Sequence, residues 1–152
     1  MNAHLGKDLR VLPVFSAHDT SALDLVSTVR LARTSGGARE LSDVATFDDR
    51  ENLAQALTLR LLTPKGSLTA LGHADYGSRL HELIGRLKND THRNLCRLFV
   101  LEAVAQEPRV DDKAVAFSFD ISRETVSSFY FDLVVRPKLA GLDVALALEV
   151  GL

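Results

Sequence analysis

Residues Val115–Val150, VAFSFDISRETVSSFYFDLVVRPKLAGLDVALALEV, carry the clearest pattern in the chain. Val115, Phe117, Phe119 and Ile121 fall on one face of a strand, and Phe129, Phe131, Leu133 and Val135 on one face of the next. Leu142, Val144, Leu146, Leu148 and Val150 share one face of a third. Side chains alternate across a strand with period two, so three such segments separated by turn residues predict an antiparallel meander with one buried face. The last segment, Leu142–Val150, holds no proline and only two charges, Asp143 and Glu149. As an edge strand it is an open template for a partner strand; as a central strand it is already paired. The sequence leaves both open.

Upstream, Thr91–Val110 (THRNLCRLFVLEAVAQEPRV) reads as one helix with an abrupt, charged end. Cys96, Phe99, Val100 and Ala103 lie on one face; Leu95, Leu98, Leu101 and Ala105 lie on another. Two apolar faces predict a helix covered on most sides, by its own fold or by a partner. Pro108 pushes the residue before it out of helical conformation, which ends the helix near Gln106 or Glu107. Glu107 then sits at a helix C-terminus, where the macrodipole disfavours a negative charge, so the carboxylate needs a partner. Arg109 is the local candidate, and the plainest reading is a helix stop with a solvated ion pair.

Further upstream, Asp49–Leu62 is a predicted helix, with Asp48 and Glu51 as a capping box and Leu53, Ala56, Leu57 and Leu61 as its buried stripe. Pro64-Lys65-Gly66-Ser67 is a turn and Leu68–Ser78 a structured loop. A short helix is expected over Arg79–Leu87, capped by Ser78, with Leu80, Leu83, Ile84 and Leu87 inward. Near the N-terminus, Leu9–Phe15 and Leu23–Leu31 read as strands around a polar turn, Ser16–Ser21, and Pro13 suits an edge strand. Ser35-Gly36-Gly37 is a turn, and Ala38–Ala45 adds a weaker strand. The fold class is therefore α+β: helices packed on an antiparallel sheet with a C-terminal three-stranded meander, plus an N-terminal β-hairpin. The expected division is an extension over residues 1–45 and an α+β domain over residues 46–152.

A chain of 152 residues can bury a real core, and 46% hydrophobic with 25% charged residues is the composition of an ordinary globular protein. A net charge of −2 and scattered basic residues argue against nucleic-acid binding. No apolar run is long enough for membrane insertion, and residues 1–10 lack the apolar core of a signal peptide. The single cysteine, Cys96, excludes an internal disulfide. His73, Asp75 and His81 match no zinc spacing, and neither a phosphate loop, a dinucleotide fingerprint nor a G-x-S-x-G elbow is present. Nothing in the spacing selects a carboxylate pair such as Glu82 and Asp111 for glycoside hydrolysis. No cofactor is expected.

Three blocks in order, Glu51–Gly66 (ENLAQALTLRLLTPKG), His73–Leu83 (HADYGSRLHEL) and the helix closing in Glu107-Pro108-Arg109, resemble one family. It is the baseplate wedge family that initiates the sheath in contractile phage tails, type VI secretion and extracellular contractile injection particles. The resemblance runs from about Glu51 to the C-terminus and leaves the first 45 residues out. It implies a structural, non-enzymatic protein assembled in the cytoplasm into a phage tail or tail-like particle. Glu107, Pro108 and Arg109 would dock it on the helical core bundle of the wedge proteins. Its sheet, with Leu142, Val144, Ala145, Leu146 and Leu148 at the terminal strand, would template the first ring of sheath protein by strand addition. Tube and spike or hub proteins are further expected partners. The competing expectations are a lysozyme-like hydrolase acting on peptidoglycan and a generic α+β module that binds a peptide strand.

Overall fold

The computed structural model describes residues 6–16, 19–25, 27–34, 37–44, 46–139 and 142–152. They fall in two compact units, residues 2–52 and 53–152 apart from the first residue. The first unit consists of antiparallel strand pairs. β1 (Lys7–Leu9) pairs with β6 (Thr46–Asp48), β2 (Val11–Ser16) with β3 (Asp19–Leu25), and β4 (Ser27–Thr34) with β5 (Gly37–Val44). The strand expected over Leu23–Leu31 is thus divided. Its alternation breaks at Ser27, and its halves serve two different pairs. Asp19–Ser21, expected as turn, belongs to β3, and Ala38–Val44 is indeed strand, within β5. The expected turns at residues 17–18 and 35–36 lie outside the described residues.

Helix α1 (Asp49–Leu62) begins at the end of the first unit and continues into the second. In the second unit Leu53, Leu57 and Leu61 are buried, as the helical spacing predicts, whereas Ala56 is half-buried. Helix α2 (Asp90–Ala105) opens on Asn89, whose side chain accepts the His92 N–H at 2.8 Å, satisfying an otherwise unpaired donor of the first turn. Asp90 in that turn complements the helix dipole. Cys96, Phe99, Val100, Ala103 and Val104 are its buried face. The second apolar face is not covered as expected: Leu98 and Ala105 are exposed and Leu95 and Leu101 half-buried.

Between the helices, the chain closes a clasp. The Lys65 N–H donates to the Ser78 carbonyl and the Ser78 N–H to the Thr63 carbonyl, both at 2.8 Å. The buried Ser78 hydroxyl donates to the Leu61 carbonyl at 2.6 Å. Ser78 therefore ties the loop to the end of α1; its hydroxyl also accepts the Leu80 N–H at 3.4 Å, but no α-helix follows for it to cap. The clasp requires Gly77, whose φ is +109° and whose missing side chain leaves room for the Thr63 carbonyl oxygen. Instead of a helix over Arg79–Leu87 there is a short 3-10 turn at Leu80–Leu83. Ile84 is extended and Gly85 left-handed (φ +80°), so the helical spacing is cut before Ile84 and Leu87 can turn inward; they are 70% and 80% exposed.

The meander is β7 (Val110–Phe119), β8 (Ser128–Pro137) and β9 (Val144–Gly151), in the order β7-β8-β9. Phe129, Phe131, Leu133 and Val135 on β8 have no exposed surface, which contributes about 1.5–3 kcal/mol for each. Phe117 stacks on Phe131 with centroids 5.1 Å apart and meets Phe119 edge-on at 4.9 Å. Ile121 lies in the β7–β8 connection, 73% exposed, because the strand stops at Phe119. Leu142 precedes β9 and is also 73% exposed. At the other end β7 starts at Val110, five residues earlier than expected, with a register irregularity between Asp111 and Val115.

Candidate functional site: the Glu107–Arg109 triplet and the β9 edge

Pro108 cannot continue a helix, and α2 ends two residues before Glu107. The chain closes the turn with the Glu107 N–H on the Val104 carbonyl and the Val110 N–H on the Glu107 carbonyl. This places the triplet between α2 and β7. The Glu107 side chain is only 5% exposed. Its carboxylate accepts from Arg109 Nε at 2.6 Å and, on its other oxygen, from Arg60 Nη2 of α1 at 3.5 Å. Burial pushes the Glu107 pKa up, but the Arg109 hydrogen bond and charge, helped by Arg60, outweigh this and hold it below the usual carboxylate range. The ion pair with Arg109 is thus present as expected, but it is internal and partly buried. Pro108 is exposed and the Arg109 side chain is 28% exposed, so these two, and not Glu107, offer surface to a partner. Glu107 positions the guanidinium.

The Arg60 guanidinium also lies over the Tyr76 ring, 4.5 Å from its centroid. Beside it is an open pocket of about 500 Å³ lined by Arg60, Gly72–Tyr76 and Gln106. Among the described residues Asp75 is the one carboxylate in its wall. Arg60, in the Glu51–Gly66 block, therefore joins Tyr76 of the His73–Leu83 block to Glu107 of the triplet. Sequence reading missed Arg60, although it follows Leu57 by three residues on the buried side of α1, an unusual place for a cation without a partner.

Among the described residues the terminal strand lies at the edge of its sheet, where β9 pairs with β8 alone. The Leu152 N–H donates to the Ser127 carbonyl at 2.8 Å, and these residues are directly opposite in the register Ser128↔Gly151, Phe129↔Val150. Opposite residues of an antiparallel ladder alternate between bonded and non-bonded pairs. Val144, Leu146, Leu148 and Val150 therefore direct their backbone groups at β8. Ala145, Ala147 and Glu149 direct theirs away from the sheet, and all three side chains are exposed. Of the five residues read from sequence at this edge, Ala145 alone turns its backbone outward. Val144 is buried, Leu146 and Leu148 are half-buried with backbones spent on β8, and Leu142 lies before the strand. Ala147 and Glu149 complete the outward set. Alternation in the sequence gives side-chain faces; which parity bonds inward depends on the partner strand.

Among the described residues, no helix is long and apolar enough to cross a membrane, and no group of three His, Cys, Asp or Glu side chains could hold a metal ion.

No family model and no curated protein matches the sequence. Among solved structures, the chain is similar to a protein of Geobacter sulfurreducens assigned the name tail lysozyme. The TM-score is 0.56 and the identity 20%, over 67% of this chain and 89% of that one. At that identity the likeness is one of fold: over about 67% of its length the chain shares the α+β architecture of that protein.

Proposed function

We propose that this chain is a structural component of a contractile tail or tail-like particle, docking on baseplate wedge proteins through Pro108 and Arg109 and receiving a sheath strand on β9. The observation that carries this reading is the outer edge of β9. Ala145, Ala147 and Glu149 hold their backbone groups outward, on a strand free of proline and with one charge between Val144 and Gly151. Edges of monomeric sheets are ordinarily blunted by charge, proline or bulges; one left open suits strand addition by a partner. The Glu107–Arg109 pair adds a preorganised guanidinium beside an exposed proline, a geometry fitted to carboxylates or carbonyls.

The name of the structural neighbour favours one other reading, glycan hydrolysis. Two flanking carboxyl groups are needed, one with a raised pKa to act as acid. The pocket offers one carboxylate, Asp75. The carboxylates with resolved perturbations, Glu82, Glu107, Glu124 and Asp143, are all shifted downward, each with an arginine bonded to it. These features favour assembly over hydrolysis. The test is co-purification of the chain with wedge proteins, followed by sheath polymerisation on the assembled baseplates, in parallel with a peptidoglycan turnover assay. Co-purification and seeding without turnover are expected. Turnover that is lost on Asp75→Asn, with no wedge binding, would replace this reading with the hydrolase.

A further inference from the structure

We infer that the second unit has another docking face, at the end of α2 opposite the Glu107–Arg109 triplet, built from Ile84, Leu87, Ile121 and Val126 and fitted to an apolar protein surface with an acidic rim. These aliphatic side chains are 70%, 80%, 73% and 93% exposed. Single exposed aliphatics are ordinary, but these four are concentrated on two joined loops. Ile84 and Leu87 lie in the connection that enters α2; Ile121 and Val126 lie in the β7–β8 connection. Lys88 bridges the loops, donating from Nζ to the Thr125 carbonyl at 2.6 Å and the Ser128 carbonyl at 2.9 Å. Lys88 and Arg93 both pair with Glu124, whose side chain is 2% exposed. Arg93 in turn lies over Phe119 and Phe129 at the end of the sheet. The apolar tips are therefore anchored to the core, so a partner that covers them has little loop ordering to pay for.

The charges around the tips select the partner. Glu82 is held by Arg79 and Glu124 by Arg93 and Lys88, while Asp120 bonds the Ser122 N–H and hydroxyl. Arg86 and Arg123 are in no ion pair among the described residues: Arg86 Nε donates to the Glu82 carbonyl and Arg123 lies over Tyr130. Two available guanidinium groups beside aliphatic tips fit an apolar surface rimmed by carboxylates. A bilayer fits less well, because none of the four tips is Trp or Tyr, the residues enriched at membrane interfaces. Asn89, next to Lys88, caps α2 at its start, and Glu107 follows its end. A helix of 16 residues sets the two faces roughly 24 Å apart, so one domain can join two partners.

This inference rests on the assembly reading, and one experiment separates the two. A photo-crosslinking residue is placed at position 87, 126 or 109 of the full chain, which is then assembled with wedge and sheath proteins. Positions 87 and 126 are expected to reach a polypeptide segment distinct from the one reached from 109, apolar and flanked by Asp or Glu. Leu87→Asp combined with Val126→Asp should keep the melting temperature and lower recovery in assembled particles about tenfold or more. Crosslinks from 109 alone would overturn the second face and leave the assembly reading standing; no crosslink from any position would remove both. Crosslinks from 87 and 126 to a second copy of this chain, or co-sedimentation with anionic phospholipid vesicles that the double variant abolishes, would replace the proposed partner.

Discussion

Replacing Ala147 by proline tests the β9 edge at its centre. The Ala147 N–H points away from β8 and its side chain is exposed, so the pyrrolidine ring removes no hydrogen bond from the sheet. The residue before it, Leu146, is already extended, as proline requires. The fold should lose less than about 1 kcal/mol, within the range of ordinary surface substitutions. For an incoming strand the count differs. Ala145, Ala147 and Glu149 offer one N–H and one C=O each, which is six bonds at most. Each contributes roughly 0.5–1.5 kcal/mol net, and the ring also obstructs the strand that would have accepted the missing bond. A loss of about 1–3 kcal/mol, or roughly 5- to 150-fold in seeding, follows. Leu146→Pro is the mirror control. Its N–H faces Leu133 and its side chain is half-buried, so it should destabilise the chain itself by about 3 kcal/mol or more. The assay is sheath polymerisation on assembled baseplates, with folding followed by hydrogen exchange across β8 and β9. An Ala147→Pro chain that folds and still seeds full-length sheath at the wild-type rate would refute strand addition at this edge. A collapse of Ala147→Pro equal to that of Leu146→Pro would refute the assigned hydrogen-bond parity.

Arg109→Ala leaves the nearly buried Glu107 with Arg60 as its one cation, at 3.5 Å, and the backbone N–H of residue 109, at 3.4 Å, so thermal melting should report a loss of about 1–3 kcal/mol along with failed co-purification with wedge proteins; Arg109→Lys should recover part of the stability and little of the docking, because an ammonium lacks the planar fork. Glu124 is held at a pKa of about 2, below its usual 4.5, first by the Arg93 hydrogen bond and, against the cost of burial, by Lys88. Its depressed value means that its contribution to stability is complete above about 4.5 and is lost as pH falls toward about 2; Glu124→Gln should flatten that limb of an acid-unfolding curve monitored by circular dichroism. Gly77→Ala should lower the melting temperature by the equivalent of about 1–3 kcal/mol, because φ is +109° and the added carbon meets the Thr63 carbonyl; an unchanged melting temperature would mean that the clasp can open without cost.

Residue order alone establishes the strand–strand–strand end of the fold. The side chains of Phe129, Phe131, Leu133 and Val135 alternate with period two whatever they pack against, and the structure buries all four. It also determined where α2 stops, because Pro108 acts locally, and that Glu107 needs a cation. It could not determine that the pairing partner set includes Arg60, 47 residues away on another helix. The helical spacing of Leu80, Leu83, Ile84 and Leu87 was equally present in the sequence, yet Gly85 and the clasp at Ser78 turn the last two outward. The strand expected over Leu23–Leu31 divides because two different neighbours claim its halves. Whether β9 is central or an edge, and which of its residues face outward, was decided only by tertiary structure. Side-chain alternation is a property of one strand, whereas backbone hydrogen-bond parity and edge position are properties of a strand and its neighbour.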